Sequence, residues 1–159
     1  MDLTILDIIL SDTYTLSSIK HRVRILKAYL ISQIFTSPEY QDVQSNDLIW
    51  LRALGKDFYK QFNQSNIYSI FDLIEAKIDK MEPLYVYLPF IADDQVDTAI
   101  GQYIRSSVGH NLLYETKFDP NLVAGCGLSF KGVYKDYSLR SKIEAKKSEI
   151  LDSFKKFLR

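Results

Sequence analysis

The chain has 159 residues, 47% of them hydrophobic, 25% charged and 13% aromatic, and its twenty Lys and Arg balance twenty Asp and Glu. Those proportions suit one or two small folded domains and exclude a disordered or collagen-like chain. Zero formal charge argues against a protein that works by neutralising phosphate backbones, and a single cysteine excludes an internal disulfide.

Helical spacing runs through the first eighty residues. Residues 2–10 read as a short helix. Leu16, Ile19, Val23, Leu26, Leu30 and Ile34 recur every three or four positions and predict a helix over Leu16–Phe35, which Thr36-Ser37-Pro38 ends. After the capping residues Ser45-Asn46-Asp47, a second stripe holds Leu48, Leu51, Leu54, Phe58 and Phe62 until Asn63-Gln64-Ser65-Asn66 breaks it. Ile67, Ile70, Phe71, Ile74 and Ile78 mark another amphipathic helix that stops near Met81, ahead of Pro83. The expectation is a four-helix bundle over residues 1–81. Lys20, His21, Arg22, Arg24 and Lys27 make a basic patch, which reads first as a solvated helix face and second as a site for an acidic partner or nucleic acid.

At Glu82-Pro83 the period changes, and a second domain is expected over residues 82–159. Leu84-Tyr85-Val86-Tyr87-Leu88 is β-rich and bounded by prolines. Asp93-Asp94 caps a helix with Val96, Ile100 and Ile104 on one side, which Gly109 terminates. Leu112, Tyr114, Thr116 and Phe118 then alternate with Leu113, Glu115 and Lys117, predicting a strand with one side toward a core. Asp119-Pro120-Asn121 turns the chain, and Leu122, Ala124, Cys126, Leu128 and Phe130 form a further period-two row. Lys131-Gly132 reads as a hairpin turn into a strand through Tyr137. A long helix follows from Ser138, its stripe of Leu139, Ile143, Ile150, Leu151, Phe154 and Leu158 interrupted by Lys147. The fold class is therefore α+β: an N-terminal helical bundle, then a small β-α-β-β-β domain with a long C-terminal helix.

The longest apolar stretch, residues 84–92, contains Pro89 and falls short of the roughly twenty residues a bilayer span needs. The first seven residues lack the basic segment of a signal peptide, so a reducing, cytosolic setting is expected. His21 and His110 are far apart and give no metal-ligand spacing; no cofactor is expected. Cys126 sits in an apolar row, where a thiol is a small buried hydrophobe. Gly125 and Gly127 leave a notch through which another backbone can approach, and no Gly-Lys-Ser/Thr follows them to make a phosphate loop. Asp93, Asp94 and Asp97 read as first-turn acids complementing a helix dipole rather than as a metal cluster. Tyr85, Tyr87, Tyr134 and Tyr137 suit either an aromatic contact surface or core-edge packing.

The run Asp119-Pro120-Asn121-Leu122-Val123-Ala124-Gly125, followed by Asp136-Tyr137-Ser138-Leu139-Arg140 and Ile143, resembles the C-terminal signature of the ATP synthase delta subunit family, whose mitochondrial relative is the oligomycin-sensitivity-conferring protein. In that family an Asp-Pro-x-Leu-Ile-Gly-Gly segment opens a strand and an Asp-x-Ser-apolar-Arg segment starts the last helix at the same separation. Asp94-Gln95 is similar to the family's Glu-Gln at the start of its helix. Ala124 stands for the first Gly of the pair, Gly127 for an apolar residue, and Tyr87-Leu88 for a small Ser-Ala. The N-terminal half has room for four helices where the family has six.

The resemblance implies a non-catalytic stator subunit that joins the catalytic head of an F-type ATP synthase to its peripheral stalk. The bundle would grip an N-terminal helix of the alpha subunit, making Leu16, Ile19, Val23, Leu48, Leu51 and Phe58 candidate contacts, and the C-terminal domain would meet the end of the b subunit. Such a chain lies at the cytoplasmic face of a bacterial membrane only through its complex. From the residues themselves, Asp119 and Pro120 stop one strand and aim the next, in which Leu122 and Gly125 complete the motif; Asp136, Ser138, Leu139 and Arg140 start the last helix, with Ser138 as cap and Arg140 reaching back to a carboxylate. The alternatives are a free-standing nucleic-acid or regulatory protein-binding module and, more remotely, a thiol enzyme centred on Cys126.

Overall fold

The computed structural model describes residues 2–35, 45–109 and 112–157, with side chains from residue 5 onward and excepting that of Ser45. Thr36-Ser37-Pro38, His110 and Leu158 lie outside the described residues. The chain divides into two compact units, Met1–Met81 and Glu82–Arg159.

The first unit is helical: α1 Asp2–Ser11, α2 Leu16–Phe35, α3 Ser45–Ala53, α4 Gly55–Tyr59 and α5 Ile67–Ile78. The period-3.6 reading identifies the core faces of α2 and α5, because an apolar stripe on a helix is stable only against another one. Ile19, Val23, Leu26 and Leu30 of α2 are buried, and so are Ile67, Ile70, Phe71, Ile74 and Ile78 of α5. Both helices pack on α1, which buries Ile5, Leu6, Ile9 and Leu10. Thr15 starts α2 by accepting the Ser18 N–H at 3.1 Å.

The stripe over residues 48–62 does not form one helix. Gly55 takes φ +76°, a left-handed conformation that ends α3 and starts α4. That break carries Phe58 and Phe62 into the core, where Phe62 stacks on Phe71 with ring centroids 5.8 Å apart. Ser45-Asn46-Asp47 do not precede the helix; α3 already begins at Ser45. Asp47 instead places Oδ2 3.2 Å from His21 Nε2 on α2.

The basic patch of α2 is engaged along the bundle. Lys20 Nζ reaches Asp79 at 2.9 Å and Lys27 Nζ reaches Glu75 at 2.9 Å, tying α2 to the end and middle of α5. Arg22 donates to the Asp12 carbonyl at 2.8 Å and lies over the Trp50 ring. Exposed pairs of this kind contribute about 0–1 kcal/mol each, so they align the helices more than they hold them.

The second unit contains β1 Leu84–Leu88, α6 Asp94–Ser107, β2 Tyr114–Phe118, a 3-10 turn Pro120–Leu122, β3 Gly127–Phe130, β4 Val133–Asp136, α7 Leu139–Ala145 and α8 Lys147–Phe157. The sheet order is β2-β1-β3-β4. β1 and β2 are parallel, with α6 supplying the crossover that a parallel pair needs, and the other two pairings are antiparallel. Asp93 caps α6 by accepting the Val96 N–H at 2.8 Å. Lys131 and Gly132 both take positive φ, the geometry of a two-residue hairpin turn. Val86, Leu88, Ile104, Leu113, Tyr114 and Leu122 form the buried apolar core of this unit.

Three expectations for this unit are corrected. The row from Leu122 to Phe130 is strand only from Gly127, because Asp119 accepts the Asn121 N–H and closes a turn that Val123 and Gly125 prolong at positive φ. The last helix is two helices, broken at Lys146, whose φ of −106° and ψ of 12° leave the helical basin. Phe118, expected on the core side, is 56% exposed at the end of β2.

Phe71 is fully buried and Phe118 is not, so alanine substitution separates core from surface. Phe71→Ala is expected to cost about 3–5 kcal/mol in urea unfolding, and Phe118→Ala to stay within about 0.5 kcal/mol of the parent.

Candidate functional site

The two sequence segments that carry the resemblance meet in space. Leu139 N–H donates to the Ala124 carbonyl at 2.8 Å, and Tyr137 N–H donates to the Cys126 carbonyl at 2.9 Å. Gly125 makes the approach possible. A Cβ on it would stand 2.6 Å from the Tyr137 carbonyl oxygen and 3.0 Å from Ser138 Cα, and its φ of +88° is left-handed. The expected notch is therefore a backbone crossing at Gly125.

Around this crossing each motif residue has a definable task. Pro120 opens the 3-10 turn, where its missing N–H costs nothing, and Leu122 at its end is buried. Ala124 N–H donates to the Leu122 carbonyl at 2.7 Å across Val123, whose φ of 64° and ψ of −54° make a γ-turn of the strained hand. Ser138 is fully buried and caps α7, accepting the Ser141 N–H at 3.2 Å. Asp136 accepts the Ser138 N–H at 2.7 Å, and hydrogen bonding from the Ser138 side chain, with that N–H second, holds its carboxyl below the usual carboxylate range. Arg140 departs from expectation: it turns forward along α7, donating from Nε to Glu144 at 3.1 Å in an exposed pair. Its charge still favours the Asp136 carboxylate, but only as the weakest contribution.

Beyond the crossing, α7 and α8 expose their apolar stripe. Leu139, Ile143, Ile150, Leu151, Phe154 and Phe157 are all between 38% and 89% exposed. Apolar residues at helical spacing ordinarily face a partner surface, and none of these six is buried.

The sheet has a second uncovered side. On β2, Tyr114 and Thr116 point to α6, where the Tyr114 hydroxyl donates to the Asp97 carbonyl and the Thr116 hydroxyl lies 3.4 Å from the Asp97 carboxylate. Burial raises the Asp97 carboxyl above its ordinary range, against the opposing pull of those hydroxyls. Strand alternation places Tyr85 and Tyr87 on the opposite face. Across the ladder Tyr85 aligns with Glu115 and Ser129, and Ser129 with Tyr134; Tyr87 aligns with Lys117 and Gly127, and Gly127 with Asp136.

The candidate partner contacts of the bundle differ in burial. Ile19, Val23, Leu51 and Phe58 are at most 4% exposed and belong to the core of their own unit, while Leu16 and Leu48 are half-buried. A residue whose surface is consumed inside the bundle has none to offer a partner. Among the described residues, no group of three or more His, Cys, Asp or Glu could hold a metal ion. Cys126 is half-buried just ahead of β3, not within a strand row. No family model matches the chain, and no curated protein matches it.

Two substitutions test this geometry. Gly125→Ala must push apart backbone atoms at the crossing and occupy a left-handed φ, so a loss of about 1–3 kcal/mol in the second unit is expected, read by thermal or urea unfolding. Asp97, with its carboxyl raised by the fold, opposes folding as pH climbs from the ordinary carboxylate pKa through its raised one. Asp97→Asn is therefore expected to raise the melting temperature at pH 7 and to leave it unchanged near pH 3, where the parent side chain is protonated in both states.

Proposed function

We propose that this chain is a non-catalytic peripheral-stalk subunit of an F-type ATP synthase, linking the catalytic head to the stalk and resisting rotor torque. The observation that carries the reading is the crossing at Gly125. The two segments resembling the delta-family signature, separated in sequence, are held together by the Leu139–Ala124 hydrogen bond, as parts of one structural motif would be. An α+β arrangement with helices first and a terminal helical segment last supports it.

The exposed stripe of α7 and α8 gives the second unit its task in this reading: a stalk helix from the b subunit docks on it, helix face to helix face. The first unit binds the alpha subunit as a closed body, using surface outside its buried stripes. Torque on the head then passes through the two units to the stalk, and no bond is made or broken in this chain. The polypeptide reaches the cytoplasmic face of the membrane only through the complex; among the described residues no helix is long and apolar enough to cross a bilayer. The nucleic-acid alternative gains nothing from the basic patch, since Lys20 and Lys27 are paired to α5.

Replacing exposed apolar residues by acids separates docking from folding. Ile150→Asp with Phe154→Asp is expected to leave the unfolding midpoint within about 1 kcal/mol of the parent, because neither side chain is buried. The same pair is expected to weaken binding to a peptide from the C-terminal end of the b subunit by about tenfold or more, measured by calorimetry. Unchanged binding contradicts the assignment of the stalk to this stripe.

A further inference from the structure

The apolar stripe of α7 and α8 is edged with unpaired positive charge. Lys142 stands one turn after Leu139 on α7, Lys147 one turn before Ile150 and Leu151 on α8, and Lys146 at the break between the helices. All three are exposed, and so is Lys156 near the end of α8. The other cations with described side chains are engaged, Arg140 with Glu144 and Lys155 with Asp152, each pair within one helix. Asp136, just ahead of α7, is held by Ser138 and feels the charge of Arg140. Among the described residues, Lys142, Lys146, Lys147 and Lys156 therefore have no acidic partner, and the one unpaired carboxylate of the two helices is that of Glu149. Beside this charge, Ile150, Phe154 and Phe157 line an open recess of about 510 Å³, room for large side chains of a facing helix.

We propose that this stripe docks an acidic amphipathic helix of another chain, whose apolar residues cover Ile150 and Phe154 and whose glutamates or aspartates edge that face to meet Lys142, Lys146 and Lys147. The proposal rests on the reading of the stripe as the seat of a stalk helix and adds the chemistry of that helix. Apolar burial supplies the affinity, and charge selects the occupant. An anionic bilayer fits less well, because Lys147 stands within the stripe, where lipid would have to admit it, and Glu149 faces no cation that would spare it the headgroups. A second copy of this chain fits less well too. Paired antiparallel about the middle of the stripe, the arrangement that covers most of it, Lys146 and Lys147 would meet the same residues of the other copy. A helix with carboxylates at the edges of its apolar face meets both requirements at once, filling the recess and neutralising the lysines.

Calorimetric titration of the full chain tests the proposal, using a synthetic amphipathic peptide whose leucine stripe is edged by glutamates, its lysine-edged counterpart and vesicles of phosphatidylglycerol. Saturable, salt-weakened binding of the glutamate-edged peptide is expected, with the lysine-edged peptide weaker by about tenfold or more. Lys142→Glu with Lys146→Glu and Lys147→Glu is expected to reverse that order by a similar factor, a gain for the lysine-edged peptide that misfolding cannot produce. Ile150→Asp with Phe154→Asp is expected to abolish binding of the glutamate-edged peptide. The proposal is overturned if the two peptides bind the parent equally, if neither binds it while the vesicles do or do not, or if the charge reversal leaves the preference unchanged. It is also overturned if sedimentation shows a dimer that Ile150→Asp with Phe154→Asp dissolves, which would seat a second copy on the stripe. The stator reading fails separately. A b-subunit peptide that does not bind while the glutamate-edged peptide does contradicts the stalk as partner and leaves the acidic helix standing, whereas a b-subunit peptide that binds the parent and the charge-reversed chain alike overturns the acidic helix alone.

Discussion

The backbone crossing at Gly125 is the constraint from which the second unit takes its shape. Two chain segments pass at a distance that no side chain tolerates, and the Leu139–Ala124 hydrogen bond closes them. This fixes where the last strand ends and where α7 begins, with buried Ser138 as the shared corner. It also accounts for the γ-turn at Val123, a β-branched residue held at positive φ beside the crossing. Such strain persists only where surrounding contacts over-determine the conformation, and here the 3-10 turn, the capped helix and β3 all converge.

The two units use apolar side chains in opposite ways. In the first, α1, α2 and α5 close on one another and the aromatic series Phe58, Phe62 and Phe71 fills the space beside them. Lys20 and Lys27 are engaged there with acids of a neighbouring helix. In the second, a thin core under α6 coexists with an exposed stripe along α7 and α8 and with tyrosines on the open sheet face. The first unit also exposes single apolar residues, Ile49 and Leu73 among them, but the stripe along α7 and α8 is the one that two successive helices share.

Elements with a complete local signal were legible in the residues. The β1 bounds, the α5 core face, the Asp93 and Ser138 caps and the Lys131-Gly132 turn each follow from period or capping chemistry within a few positions. The breaks at Gly55 and Lys146 were not, since an apolar stripe passes through each and period cannot distinguish one helix from two in register. The row at Leu122, Ala124 and Cys126 misled for the same reason: alternation describes spacing, while the Asp119 turn and two positive-φ residues decide the path. Ile19, Val23, Leu51 and Phe58, expected as partner contacts, lie in the core of their own unit. Periodicity identifies which face of a helix is apolar, not whether the chain itself covers that face. In α2 it does; in α8 it does not. The direction of Arg140 and the lean of Tyr134 over Gly127 depend on side-chain geometry that spacing does not encode.

The central claim is that this chain makes its living by attachment within a rotary motor. Its most direct test is the inventory of polypeptides, by mass spectrometry, in the native assembly purified through a tag on this chain. The account predicts stoichiometric recovery of the alpha and b subunits of an F-type ATP synthase. Recovery of an assembly that contains neither contradicts it.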